Sequence, residues 1–169
     1  MCPAEPEWKI RPAEAPADMA TVRALFLEYA DWLQVDLCFQ GFEAELASLP
    51  GKYAPPAGGL WLALVDGAVA GIVGLRPLGD EGVSELKRLW IRPGYRGHGL
   101  GRRLVETAIG AARAAGYARL CLDTLPVMAE AHALYASLGF QEIPAYYENP
   151  ESGVRYLELE LSQAVARSG

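Results

Sequence analysis

The sequence predicts an α+β (mixed α/β) domain built around a single sheet, on three observations. Apolar periodicities of two and of 3.6 residues alternate along the 169 residues as strand, two helices, three strands, helix, strand, helix and two strands. That order contains no symmetric doubly wound repeat. The dipeptide Asp66-Gly67 stands between two apolar runs, the pattern of an antiparallel hairpin closed by a two-residue turn.

Taken in order, Trp8-Lys9-Ile10-Arg11 reads as a short strand ending in a Pro- and Ala-rich break. Asp18 is placed to cap a helix running to about Trp32, with Val22, Leu25, Phe26, Tyr29 and Leu33 at helical spacing. A shorter helix is expected from Gly41 to Leu49, stopped by Pro50-Gly51, and residues 50–59 form a loop. Leu60 to Leu75 is the hairpin, and Val83 to Ile91 a further strand closed by Arg92-Pro93-Gly94. A helix from about Gly99 to Ala115 carries Leu100, Leu104, Ala108, Ala111 and Ala115 as one apolar stripe. Residues 118–124 read as a strand, Ala129 to Leu138 as a helix, and Phe140 to Tyr146 and Val154 to Leu161 as two last strands. No linker divides the chain, so residues 1–169 are expected to form one domain with its core at about 8–162.

Composition narrows the classes of function. Apolar residues make up 51% and charged residues 21%, globular values, and no run of about 18 apolar residues suits a bilayer. Met1 to Pro16 holds four prolines and three glutamates without an apolar stretch, which argues against a secretory signal. Three scattered cysteines and two histidines suit neither a disulfide framework nor a metal site, so a reducing, cytoplasmic setting is expected. A pI near 5.0 and net charge of −6 make nucleic acid an unsuitable partner.

Against that acidic background, the stretch between Glu85 and Glu106 has no acid and gathers Lys87, Arg88, Arg92, Arg96, Arg102 and Arg103. Within it, Arg96-Gly97-His98-Gly99-Leu100-Gly101 opens onto the predicted helix. Exposed amides and the helix dipole there favour an anion, so the run reads as a phosphate cradle. It lacks the Gly-Lys-Ser/Thr of a P-loop. Its G-x-G-x-G spacing also departs from the dinucleotide fingerprint.

The hexapeptide does match [R/Q]-x-x-G-x-[G/A]. Downstream, Leu134-Tyr135-Ala136-Ser137-Leu138-Gly139-Phe140 matches L-Y-x-x-x-G-F. With the element order, these two motifs resemble the GNAT superfamily of acetyl-CoA-dependent N-acetyltransferases over about residues 8–162. The resemblance implies a mostly antiparallel sheet of about seven strands, splayed after the fourth and flanked by about four helices. It implies acetyl-CoA as co-substrate, no metal, and transfer of acetyl to a primary amine of a small molecule or peptide in a ternary complex.

On that resemblance Arg96, Gly97, His98, Gly99, Leu100, Gly101 and Arg102 hold pyrophosphate, and main-chain groups of Leu89, Trp90 and Ile91 hold pantetheine. Thr124 is a candidate to replace an asparagine common in the family at the position of Met128. Glu85, or water held near it, is the expected general base, since a lysine-like amine with a pKa of about 10.4 must lose a proton. Strict alternation puts Glu85, Lys87 and Leu89 on one face and Leu86, Arg88 and Trp90 on the other. Tyr135 is the expected proton donor to the departing thiolate, with a core tyrosine as the alternative. The acceptor side is expected to include Tyr29, Trp32, Phe39, Tyr146 and Tyr147, aromatic groups that with nearby acids suit a cationic amine. A non-catalytic acyl-CoA sensor and a protein lysine or N-terminal acetyltransferase remain alternatives. Dimers are common in the family, which leaves a homodimer open.

Overall fold

The computed structural model describes residues 4–34, 37, 41–79 and 82–161. In chain order these form β1 (Trp8–Pro12), α1 (Met19–Leu33), α2 (Phe42–Ala47), β2 (Gly59–Val65), β3 (Ala68–Pro77), β4 (Val83–Ile91), α3 (Leu100–Ala114), β5 (Arg119–Thr124), α4 (Ala129–Ser137), β6 (Gln141–Ile143) and β7 (Arg155–Glu160). The seven strands make one sheet in the order β1-β2-β3-β4-β5-β7-β6. Every pairing is antiparallel except β4 with β5. None of the helices among the described residues is long and apolar enough to cross a membrane.

Alternating side chains give the sheet two apolar faces. One packs on α3 and α4 through Val73, Leu75, Leu86, Leu104, Val105, Ala108, Leu120 and Leu122. The other packs on α1 and α2 through Val22, Leu25, Phe26, Leu60, Leu62, Ile72 and Trp90. The hairpin between β2 and β3 turns at Asp66 (φ 49°) and Gly67 (φ 82°), the two positive φ values that a type I′ turn needs.

Three expectations change. Asp18 precedes α1 but makes no side-chain cap. Its carboxylate instead accepts from the Arg11 guanidinium at 2.7 and 3.0 Å and from the Glu14 amide at 2.8 Å, tying β1 to the start of α1. The strand expected from Phe140 to Tyr146 is only Gln141–Ile143, because Pro144 offers no amide to continue the ladder.

The third change shapes the site. Gly74 pairs with Lys87 but Ile72 pairs with Trp90, so two steps along β3 match three along β4. The extra residue is Arg88, in the left-handed region at φ 60°. This bulge resets the alternation. Leu89 and Ile91 join Leu86 on the α3 face, while Trp90 lies on the α1 face.

Candidate functional site

Pairing between β4 and β5 stops early. Val83, Ser84 and Glu85 face Arg119, Leu120 and Cys121, and beyond them no pair joins the two strands. Into this opening runs a cleft of about 820 Å³. Leu89, Trp90 and Ile91 of β4 line one side, Met128, Ala129, Ala131 and Leu134 around α4 the other, and the glycine loop its end. Trp32 and Val127, exposed at 36% and 57%, stand at the rim.

The loop is shaped by sequence. Gly97 (φ 86°) and Gly99 (φ 80°) take left-handed conformations that L side chains rarely adopt. Gly99 occupies the N-cap of α3 with no side-chain cap, and the first turn of the helix carries no acid. Amides of the first turn are therefore left without acceptors within the helix, at its positive end. Arg96 is held by a bond from Nε to the Ile91 carbonyl at 3.0 Å, with its guanidinium over Trp32 (5.2 Å) and Trp90 (4.9 Å). Arg102 reaches Glu106 and the Ser137 hydroxyl, bridging α3 and α4.

Where the strands part, a smaller cavity of about 50 Å³ adjoins the cleft, sharing Leu89, Met128 and Ala131 with it. Tyr29, Lys87, Arg88, Asp123, Tyr135 and Asn149 also line it. Tyr135 is 5% exposed, packs edge-on against Phe140 at 5.5 Å, and burial raises its hydroxyl pKa well above the usual value. Burial likewise pushes Tyr29 up to about 12. Lys87 Nζ lies 3.4 Å from Asp123 Oδ1, and the Tyr147 hydroxyl donates to Asp123 Oδ2 at 2.6 Å. Burial pushes the Asp123 carboxyl up, but Lys87 and the bonds it accepts prevail, leaving it below the ordinary range.

A family model described as the acetyltransferase (GNAT) family matches residues 23–140. The chain belongs to this family. An uncharacterized N-acetyltransferase of Schizosaccharomyces pombe is 38% identical to this GNAT chain over 155 residues, covering 91% of the chain and 95% of that protein. The N-acetylaspartate synthetase of Homo sapiens is 35% identical over 102 residues, 60% of this chain but 34% of that protein. Among solved structures, the yncA protein of Salmonella typhimurium, determined with its cofactor acetyl-CoA, superposes with a TM-score of 0.65 at 21% identity, covering 92% and 95% of the two chains. This last likeness bears on the fold, and the shared GNAT architecture includes the splayed seven-stranded sheet with four helices described above.

Of the residues that sequence reasoning chose for the GNAT cleft, Leu89, Trp90, Ile91, Arg96, Gly97, Gly99, Leu100, Gly101 and Arg102 all line it. His98 does not; its ring packs on Trp8 at 5.4 Å. Thr124 is buried with its hydroxyl 3.5 Å from Met128 Sδ, and Met128 itself faces the cleft. Trp32, expected on the acceptor side, stands beneath Arg96 in the cleft. Phe39 lies outside the described residues.

Glu85 is 2% exposed and lines neither the cleft nor the smaller cavity. Arg76 holds one of its oxygens through Nε and Nη2, each at 3.0 Å, and the Tyr146 hydroxyl donates to the other at 2.7 Å. Arg76 continues to Glu45 at 3.3 Å, and Glu45 also binds the bulge residue Arg88 at 3.0 and 3.2 Å. Direct proton abstraction by Glu85 would require this network to open. The alternation expected to group Glu85, Lys87 and Leu89 fails for the reason given above, the bulge at Arg88. Sequence reasoning missed Asp123. Its only signal was a carboxylate closing the otherwise apolar alternation of Leu120, Cys121 and Leu122. Cys121 is buried, with burial and Glu158 pushing its thiol up to about 12, which fits a packing role.

Proposed function

We propose that this chain transfers an acetyl group from acetyl-CoA to a primary amine by direct attack in a ternary complex. The observation that carries the reading is the splay itself. Beyond Glu85 the edge of β4 has no strand partner on its β5 side, and the cleft along that edge runs from an uncapped helix N-terminus to a polar cavity. Pyrophosphate on the first-turn amides and on Arg96 and Arg102 leaves the pantetheine arm to follow Leu89, Trp90 and Ile91 toward Tyr135. The yncA protein holds acetyl-CoA on this fold, which supports the same co-substrate here.

In this reading Tyr135 gives a proton to the departing thiolate, its raised pKa keeping the hydroxyl protonated at neutral pH. Tyr29 and Tyr147 bound the acceptor side, and Glu85 acts with Tyr146 and Arg76 as a positioning group beneath it. A second reading, an acceptor that carries a carboxylate beside its amine, is favoured by the compound named for the human relative.

Calorimetry with CoA tests the cradle: binding is expected in the wild type and at least tenfold weaker in Gly99→Trp. Wild-type binding by that variant, or none by the parent, overturns it. Release of free thiol from acetyl-CoA across diamines, aspartate, other amino acids and short peptides tests transfer. Turnover selects the acceptor class, whereas CoA binding without turnover on every amine favours the sensor over the enzyme.

A further inference from the structure

The small cavity where β4 and β5 part contains chemistry that the reading above leaves unused. Asp123 projects into it from the end of β5, with its side chain 11% exposed. A carboxylate offers about four lone-pair positions. Tyr147 takes one at 2.6 Å, Lys87 approaches a second at a long 3.4 Å, and capacity for a further donor remains. Asn149 donates to the Tyr147 hydroxyl at 3.0 Å, so the loop bounding the cavity fixes the carboxylate's orientation. Tyr135 lines the same cavity, and Leu89, which also lines the cleft, marks where the thioester would lie.

An alkyl amine reaches such a site protonated, since its pKa is about 10.4, and it must shed a proton before attacking. We propose, on the acetyl-transfer reading above, that Asp123 receives the acceptor's ammonium group and that Lys87 beside it takes the proton this group must lose. The physical reason is crowding of like charge. Two ammonium groups within reach of one carboxylate in a buried cavity repel each other, which favours losing a proton from the pair.

The surroundings act in the same direction. Burial lowers the Lys87 pKa, Arg88 on β4 and Arg76 on β3 add to that, and Asp123 on β5 and Glu85 on β4 oppose it without reversing it. Glu45 on α2 faces Arg88 and Arg76 rather than Lys87, Tyr29 on α1 and Tyr135 on α4 are uncharged, and Glu151 stands on the loop at the cavity. Asp123, held below the ordinary carboxylate range, is suited to anchoring a cation and is a weak base. The division of labour follows from that contrast.

The step balances. Crowded by the incoming ammonium, Lys87 gives its own proton to water, then takes one from that ammonium and is left charged again beside Asp123. The freed nitrogen bonds to the thioester carbon, the C–S bond breaks, and the second nitrogen proton leaves as the thiolate gains one through the Tyr135 hydroxyl. The products are amide, thiol and one released proton.

The test uses the full-length chain with acetyl-CoA and, as acceptors, butylamine, 1,5-diaminopentane and aspartate, read as thiol release over pH 6–10. Asp123→Asn is expected to raise KM for the amine at least tenfold while CoA affinity by calorimetry stays within threefold. Lys87→Arg keeps the charge but cannot deprotonate at these pH values; it is expected to lower kcat about a hundredfold with KM little changed, and to remove the limb of the pH profile on which the rate rises with pH. Lys87→Arg at wild-type kcat, or Asp123→Asn with unchanged amine KM, overturns the proposal. If Asp123→Asn fails to fold, Lys87→Arg and the profile decide alone. Silence of the wild type on these amines and on the amino acids and short peptides above overturns the transfer reading instead, and this inference with it.

Discussion

Replacing Glu85 by Gln separates positioning from proton abstraction. Glu85 is 2% exposed and its charge faces Arg76, whose side chain is 18% exposed and keeps Glu45 at 3.3 Å as a second carboxylate. A glutamine keeps the shape and can still hydrogen-bond both Arg76 and Tyr146, so what is lost is the charge of one acceptor. Removing one partner of a fully buried pair costs about 3–5 kcal/mol. Partial exposure of Arg76 and its remaining carboxylate reduce this to about 2 kcal/mol, in the range of hydrogen bonds to charged groups. For a chain of this length that lowers Tm by roughly 4–8 °C. Differential scanning calorimetry reads the shift, and kcat/KM against pH with any accepted amine reads the chemistry. The expected result is a lower Tm, a modestly lower rate and a profile of unchanged shape. An unchanged Tm together with a collapsed rate and a lost limb of the profile would refute the positioning argument and return Glu85 to the role of base.

Tyr135→Phe removes only the hydroxyl, so kcat is expected to fall about a hundredfold, as for loss of a general acid, with CoA affinity unchanged; a wild-type rate makes Tyr135 a packing residue. Asp18 is lowered to about 2 by its bond to Arg11 and by the Glu14 amide, against about 3.9 unfolded. Its contribution is therefore complete above pH 4 and lost as pH falls toward 2. Asp18→Asn should flatten the acid-unfolding curve in that window, and a curve parallel to the wild type contradicts this. Saturating CoA is expected to slow amide hydrogen exchange at Leu89 to Ile91 and to raise Tm, since ligand at a hundred times Kd adds about 2.7 kcal/mol. Exchange slowed only in the glycine loop would show that the β4 edge does not carry the ligand.

What was legible in the sequence was local. The glycine loop and the Asp66-Gly67 turn each depend on residues within one or two turns of chain and stand where expected. The α3 stripe holds through Leu100, Leu104 and Ala108 but runs on through Val105, Ile109 and Ala112 and leaves Ala115 exposed. Arg88 gave no such sign. A left-handed residue is announced by glycine or asparagine, and an arginine held there by Glu45, 43 residues earlier, is fixed by tertiary contact. One unannounced residue was enough to reverse the faces assigned along β4. The base candidate failed to reach the cavity for a related reason: Tyr146, 61 residues away in sequence, covers Glu85, and no spacing rule connects the two. Asp123 likewise became visible only when Lys87 and Tyr147 were brought beside it.

The bulge and the splay are one device. A regular β4 paired along its length would have no free edge and would send Lys87 and Arg88 to opposite faces. The splay frees main-chain groups that an extended ligand can bond, and the bulge places both cations in the cavity where that edge ends. Buried charge needs compensation, and each acid supplies it at a particular place. Glu45 holds Arg88, Asp123 holds Lys87, and Glu85 meets Arg76, so three cations face three carboxylates beneath the opening. Glu45 and Glu85 are engaged wholly within that network. Asp123 stands where the network meets open space, which is the position an incoming amine would have to find.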